Sequence, residues 1–234
     1  MKRLICFDLD GTLTQHRSPL GEENRAVLDK LKEKYKVIMV GAGSARRIYN
    51  QMQDYPIDII ANYGMEESKM VDGNFTIIRQ VITQPDKDYF LEKAEYLRKK
   101  YGYTQYKGES VEFHGTGMVT FPLLGTKADL ADKIVFDPTR EKRRVLYPEV
   151  LELFPQYTVY IGGSSSFDFT EKQYNKYDAI MAYAKENLYK KEEILYIGDD
   201  FEDGGGDSHI RLGGMDYVEI TDYKELKSKL EYLF

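Results

Sequence analysis

The sequence predicts an α/β protein, a mostly parallel sheet interrupted by an inserted α+β segment. Three observations carry this expectation. Short apolar runs at Leu4 to Phe7 and Val37 to Val40 end in an acidic and a small-residue turn, and Ile57 to Ala61 is a third short strand leading to Asn62-Tyr63-Gly64, with helical patterning between them. Continuous apolar runs of this length mark strands buried on both faces, as in a parallel sheet. From residue 82 to 172 the order changes to a helix, a strand pair, helices and a second strand pair, and Ile194 to Ile197 then resumes the first pattern. The first domain is therefore expected over 1–81 and 173–234, with the inserted domain at 82–172.

In chain order, Leu4-Ile5-Cys6-Phe7 runs into Asp8-Leu9-Asp10 before Gly11 and Thr12 turn the chain. If Asp8 and Asp10 continue the strand, the period of two puts both carboxylates on one side. Two such charges repel unless a cation or a shared proton relieves them, which makes the pair a candidate for metal-assisted chemistry. The alternative is an ordinary Asx turn after a strand. An amphipathic helix follows from Leu20 to Tyr35, with Ala26, Val27, Leu28 and Leu31 as its apolar stripe. Val37 to Val40 ends in Gly41-Ala42-Gly43-Ser44, and Arg46 to Gln53 is expected to be helical. Strand, small-residue loop and helix start suit an anion, although a tight turn would use the same glycines. Ile57 to Ala61 is the third strand, and Glu67 to Val81 a hairpin turning at Asp72-Gly73.

In the inserted segment Asp86 is placed to cap a helix running to Lys100. Glu109 to His114 and Met118 to Phe121 pair around Gly115-Thr116-Gly117, and helical sequence from Lys127 to Phe154 is expected to break near Pro138 and Pro148. Arg140, Arg143 and Arg144 read as a solvated helix face. Thr158 to Ile161 and Ser165 to Phe169 form a second hairpin at Gly162-Gly163. Alternation puts Ser164, Ser166 and Asp168 on one face, against Ser165, Phe167 and Phe169, and sets Glu112 and His114 against Val111 and Phe113. The polar face meets either water or a ligand. A helix over Tyr174 to Asn187, the strand Ile194 to Ile197 leading into Gly198-Asp199-Asp200, a strand at Tyr217 to Ile220 and a last helix complete the chain.

The 234 residues suffice for one large or two modest domains, and 42% hydrophobic with 31% charged residues predicts a packed core. A net charge of −6 argues against nucleic acid or an anionic membrane as partner, but leaves a phosphorylated small molecule open. The single cysteine, Cys6, has no internal partner and suits a reducing compartment. No apolar run approaches a membrane span. Asp8 and Asp10 cut the first apolar stretch too short for a signal peptide, so a cytoplasmic location is expected.

Asp8 to Thr14 matches a DxDGTLT motif, Lys176 a third-motif lysine, and Gly198-Asp199-Asp200 a closing acidic motif. Together they resemble the haloacid dehalogenase-like phosphotransferase superfamily, subfamily IIB. VEFHGTGM (Val111 to Met118), YIGGSSSFDF (Tyr160 to Phe169) and GDDFEDGGGDSHI (Gly198 to Ile210) are similar to eukaryotic-type phosphomannomutases. The resemblance implies a Rossmann-like core with an α+β cap that reads the substrate. It implies Asp8 as nucleophile, Asp10 as general acid and base, and Lys176 holding the Asp8 carboxylate with a phosphoryl oxygen. Ser44 would donate to the phosphoryl group; a gapless alignment puts Gly43 there instead, with the N–H groups of Gly41 to Gly43 sharing the work. Mg²⁺ would sit on Asp8, the Asp10 carbonyl and Asp199, with Asp207 in or behind its coordination sphere and Asp200 and Asp203 as solvated loop charges. Substrate contacts fall on Arg17, Ser166 and Asp168. Where those mutases grip a second phosphate with arginines, this chain has His114, Thr126 and Lys133. The expectation is therefore a Mg²⁺-dependent phosphatase of small phosphorylated metabolites, sugar phosphates foremost, through an aspartyl-phosphate. The alternatives are a hexose-phosphate mutase and a catalytically silent phosphosugar-binding module. A homodimer through the cap is a further expectation.

Overall fold

The computed structural model describes residues 1–234 and divides into two units. The first comprises Met1–Val81, Tyr174–Asp203 and Asp207–Phe234; the second comprises Ile82–Gln173 with Gly204–Gly206.

In the first unit the strands are β1 (Leu4–Phe7), β2 (Lys36–Val40), β3 (Asp58–Ala61), β4 (Glu66–Val71), β5 (Asn74–Gln80), and, after the inserted segment, β10 (Ile194–Gly198) and β11 (Tyr217–Glu219). They form a seven-stranded sheet in the order β11-β10-β1-β2-β3-β4-β5. The first five in that order run parallel, and β4 and β5 are antiparallel additions at the edge. The β4–β5 turn has both Asp72 and Gly73 at positive φ, the conformation that a two-residue hairpin of this twist needs. Helices α1 (Glu22–Lys32), α2 (Ala45–Gln51) and α8 (Leu226–Leu230) cover one face of the sheet; α6 (Lys176–Glu186) and α7 (Ser208–Leu212) cover the other. The continuous apolar runs follow from this double cover. Ile5 and Phe7 of β1 pack with Leu28, Leu31, Ile48 and Leu226, whereas Leu4 and Cys6 pack with Ile180, Tyr183 and Ile210. The α/β class predicted from the sequence is the class observed.

The second unit contains α3 (Lys87–Tyr101), β6 (Glu112–Phe113), β7 (Val119–Pro122), α4 (Leu130–Phe136), α5 (Glu141–Leu153), β8 (Tyr157–Tyr160) and β9 (Ser166–Glu171). Its antiparallel sheet has the order β6-β7-β9-β8. Phe121, Phe167 and Phe169 pack against Phe90 and Leu97 of α3 and Leu146 and Val150 of α5. Two sequence expectations are corrected here. Pro148 lies inside α5 and does not break it; the lost hydrogen bond and ring clash, about 3 kcal/mol, are offset by burial of the flanking Leu146 and Val150. Arg143 is not on a solvated face. It is 1% exposed, pairs with Asp137 at 2.9 Å, and donates to the carbonyls of Gly162, Gly163 and Ser166. Burying its charge is tolerable only because nearly the whole guanidinium fork is hydrogen-bonded.

Candidate active site

Strand order reverses at β1, which has β2 on one side and β10 on the other. In such a sheet the ends of the two central strands diverge and leave a crevice at their carboxyl ends. Asp8 directly follows β1 and Asp199 directly follows β10.

The Asp8 N–H donates to the Ile197 carbonyl at 2.9 Å, extending the ladder one residue past Phe7. Extended structure then stops, because the N–H groups of Thr12, Leu13 and Thr14 all turn back onto the Leu9 carbonyl. Gly11 makes this turn at φ +98°, and a Cβ there would lie 2.4 Å from Asp199 Oδ2. Asp10 therefore sits in a turn, not in a strand, and the expectation of two carboxylates facing one shared cation is corrected. Asp10 Oδ1 accepts from Gln51 Nε2 and from the Arg17 N–H, each at 2.7 Å, and Oδ2 accepts from Arg47 Nη1 at 3.3 Å. Burial works to raise its pKa, but Arg47, Gln51 and the Arg17 amide hold it below the usual carboxylate range. Arg17 itself is exposed, at φ +57°, and what it brings to Asp10 is its backbone amide.

Lys176 is the first residue of α6, just after the N-cap Asn175, whose Oδ1 accepts from the Asp178 N–H at 2.9 Å. Its ammonium is 3% exposed and donates to Asp8 Oδ1 at 2.6 Å, Asp207 Oδ1 at 2.7 Å and the Tyr196 hydroxyl at 3.2 Å. Burial alone would lower the lysine pKa; Asp207 and Asp8 reverse the shift, so it stays charged. The Tyr196 hydroxyl donates to Asp207 Oδ1 at 2.6 Å, and Asp207 Oδ2 accepts from the N–H groups of Asp199 and Asp200 at 3.2 and 3.1 Å. Both oxygens of the fully buried Asp207 are thus committed to protein donors. It holds the lysine and the acidic loop, an arrangement that fits the second of the two expected places, behind a metal's coordination sphere. Asp200, expected as a solvated charge, is half-buried with its amide tied to Asp207, whereas Asp203 is exposed and paired with Arg211.

Two carboxylates, Asp8 and Asp207, pair with this one ammonium, and a third, Asp199, lies close enough to repel both. Burial first, and then mutual repulsion, push the Asp8 and Asp199 carboxyls well above their usual range. Such residual negative charge at oxygen donors fits a hard divalent cation. Asp8 uses Oδ1 for Lys176 and Asp199 uses Oδ1 for the Thr12 hydroxyl at 3.0 Å, so their Oδ2 atoms are the natural donors. No three acidic, histidine or cysteine side chains make a ready-made coordination set. Completion would fall to a backbone carbonyl, water or substrate, the habit of Mg²⁺.

Ser44 is the N-cap of α2, and its hydroxyl accepts from the Arg47 N–H at 3.4 Å. The Gly41 N–H donates to the Ile60 carbonyl, so it belongs to the sheet and not to an anion cradle as expected. The Arg47 guanidinium lies over Gly43.

In the second unit, Ser166 Oγ donates to the Gly162 carbonyl, and buried Asp168 accepts from Thr120 Oγ1 at 2.8 Å. Thr120 Oγ1 is also 2.9 Å from His114 Nε2, which makes a three-residue polar chain across neighbouring strands. Burial raises the Asp168 pKa. Lys133 donates to the Thr126 carbonyl, and the Thr126 hydroxyl accepts from the Glu109 N–H. Arg47, Gln51, Tyr196 and Thr120 escape a reading of the sequence alone. Only the spacing of four between Arg47 and Gln51, which share a helix face, hints at the first two.

A switch-point crevice with an aspartate after each central strand and a lysine bridging buried carboxylates defines a haloacid dehalogenase-like hydrolase. The chain belongs to that family, whose model matches residues 5–204. Among individual proteins it is similar to phosphomannomutases. It is 26% identical over 218 residues to that of Saccharomyces cerevisiae (88% of this chain, 84% of that protein) and 22% identical over 220 residues to that of Encephalitozoon cuniculi (89% and 84%). In fold it is similar to the IMP-nucleotidase of Plasmodium falciparum, with a TM-score of 0.70 at 16% identity, covering 100% of this chain and 70% of that one. A phosphatase of the same superfamily from Bacteroides thetaiotaomicron gives a TM-score of 0.65 at 17% identity, covering 100% and 95%. No helix is long and apolar enough to cross a membrane.

Proposed function

We propose that the protein is a Mg²⁺-dependent phosphatase of small phosphorylated metabolites, sugar phosphates foremost, working through an aspartyl-phosphate on Asp8. The observation that carries this reading is the Lys176 ammonium fixed at 2.6 Å from Asp8 and 2.7 Å from Asp207. A carboxylate becomes a competent nucleophile toward phosphorus only where cationic groups offset phosphoryl charge. Asp8 attacks phosphorus and the P–O bond to the substrate alcohol breaks; Asp10, ionised in the free site, takes up a proton from solvent as the phosphoryl dianion binds beside it and delivers that proton to the leaving oxygen. Asp10 then takes a proton from water as that water attacks the phosphorus of the acyl phosphate, which releases inorganic phosphate and restores Asp8. Mg²⁺ held by Asp8, Asp199 and the Asp10 carbonyl would supply neutralisation of the phosphoryl charge. Lys176 shares that role and fixes the Asp8 carboxylate in one orientation. Asp168, aligned by Thr120, is suited to accept from a sugar hydroxyl.

A hexose-phosphate mutase is the second reading, favoured by the phosphomannomutase relatives. In it a sugar hydroxyl replaces water in the second step. Against it stands the chemistry of the second unit. His114 and Thr126 replace two expected arginines, and the buried Arg143 is committed to Asp137 and three carbonyls. A mutase must grip a second phosphate, for which the guanidinium fork is the apt donor. The test measures inorganic phosphate release from a panel of phosphorylated metabolites, with and without Mg²⁺. In parallel it measures interconversion of mannose 1- and 6-phosphate with a bisphosphate primer. Phosphate release dependent on Mg²⁺ is expected. Robust interconversion with negligible release would overturn the phosphatase reading, and no turnover of any phosphate ester would overturn both.

A further inference from the structure

Gly43 and Arg47 form a pair whose chemistry extends the site. The backbone at Gly43 is outside the left-handed region, so conformation does not demand glycine there. A Cβ at 43 would lie 2.2 Å from both Nε and Nη2 at the end of the flexible Arg47 side chain, so the missing side chain is what lets the guanidinium settle over the loop. The guanidinium is then fixed from its other end: Nη1 donates to Gln51 Oε1 at 2.8 Å and to Asp10 Oδ2 at 3.3 Å. Gln51 in turn donates to Asp10 Oδ1. The Arg47 side chain is 36% exposed, open to a solvent-borne ligand. Ser44, the neighbouring hydroxyl, serves as the helix cap.

We propose that the Arg47 guanidinium binds oxygens of the phosphoryl group handled by Asp8, taking the place and the donor role that a side chain at position 43 would otherwise fill. The inference rests on the phosphoryl-transfer reading above. Arginine suits the task because its charge is permanent and its planar fork can hold Asp10 with one edge while the other faces an oxyanion. The pairing also ties the cation to the acid–base group, so one contact orients both. Arg47 is therefore assigned to the substrate's phosphate, in place of a purely structural partner for Asp10.

The test is equilibrium binding of orthovanadate in the presence of Mg²⁺, by calorimetry, to the intact protein and to R47A, G43S and the double variant G43S/R47A. Inhibition by inorganic phosphate of p-nitrophenyl phosphate hydrolysis gives a parallel readout, and unchanged melting temperatures establish folding. R47A is expected to bind vanadate about 10–100-fold more weakly, the loss that a charged hydrogen bond carries. G43S/R47A should recover about tenfold of that loss, because its hydroxyl enters the vacated space. R47A binding vanadate like the parent, or a double variant no tighter than R47A, would overturn the inference while leaving the phosphatase reading intact if the parent still releases phosphate. A parent that neither binds vanadate nor turns over any phosphate ester overturns both.

Discussion

The Nζ of Lys176 lies 2.6 Å from Oδ1 of Asp8, a residue 168 positions earlier in the chain. Both groups are buried, and the second carboxylate on the same ammonium, Asp207, is wholly enclosed. The contact joins the end of the first strand to the start of a helix that follows the inserted segment Ile82–Gln173, so it forms only when the discontinuous first unit closes on itself.

Replacing Lys176 by Met leaves Asp8 and Asp207 as buried carboxylates without their cation. Removing one partner of a buried ion pair costs about 3–5 kcal/mol. Urea denaturation of the K176M variant should show a loss of that size. A loss below about 1 kcal/mol would mean that the ammonium is not the principal compensation for these charges.

Asp8→Asn removes the nucleophile and one of three crowded negative charges. Turnover should fall by at least about 10³-fold, as it does when a nucleophile is deleted from a covalent mechanism. Because Asp207 still pairs with Lys176, the melting temperature should stay near that of the parent. Steady-state kinetics beside a thermal melt tests both halves of this expectation, and near-normal turnover would rule out the aspartyl-phosphate route.

Asp207→Asn tests the holder of the acidic loop. An asparagine can offer its oxygen to the Asp199 and Asp200 amides or to Lys176 and Tyr196, but its NH₂ then opposes donors on the other side. The Asp199 carboxylate should lose its fixed position, and the half-saturating Mg²⁺ concentration for phosphate release should rise about 10–100-fold, the usual effect of losing a residue behind a metal ligand. An unchanged Mg²⁺ requirement would place Asp207 outside the metal's support.

The buried Asp137–Arg143 pair makes a pH prediction for the second unit. Burial works to raise the Asp137 pKa, but hydrogen bonds from Arg143 and from the Lys142 amide hold it below the usual value. A carboxyl with its folded pKa depressed contributes stability above its unfolded pKa of about 3.9, and that contribution is lost as pH falls through the lower folded value. Urea melts from pH 6 to pH 3 should show a larger loss in the parent than in D137N/R143M, in which only the remaining depressed carboxyls contribute. R143A alone at neutral pH should cost about 3–5 kcal/mol.

Strands β1, β2 and β10 were legible in the sequence because burial on both faces leaves a local mark, an unbroken apolar run, and the cap at Asp86 was within reach of a simple spacing rule. Asp8 stood out for the same reason, since it directly follows such a run, and Asp199 through the likeness of Gly198-Asp199-Asp200 to a closing acidic motif. Arg143 and Pro148 were misread because local patterning cannot register partners far along the chain. The carbonyls that satisfy Arg143 lie 19 to 23 residues away, and the burial that sustains α5 around Pro148 comes from strands of the opposing sheet.

The sequence alone thus determined the α/β class, the interruption of the first unit and the acidic residues at two strand ends, all of them set by short-range pattern. Tertiary structure alone decided how those charges are shared. It turned Asp10 away toward Arg47 and Gln51, committed both oxygens of Asp207 to protein donors, and buried Lys176 between carboxylates. Charge compensation depends on distances between residues that the chain keeps far apart, and those distances exist only once the sheet has ordered its strands.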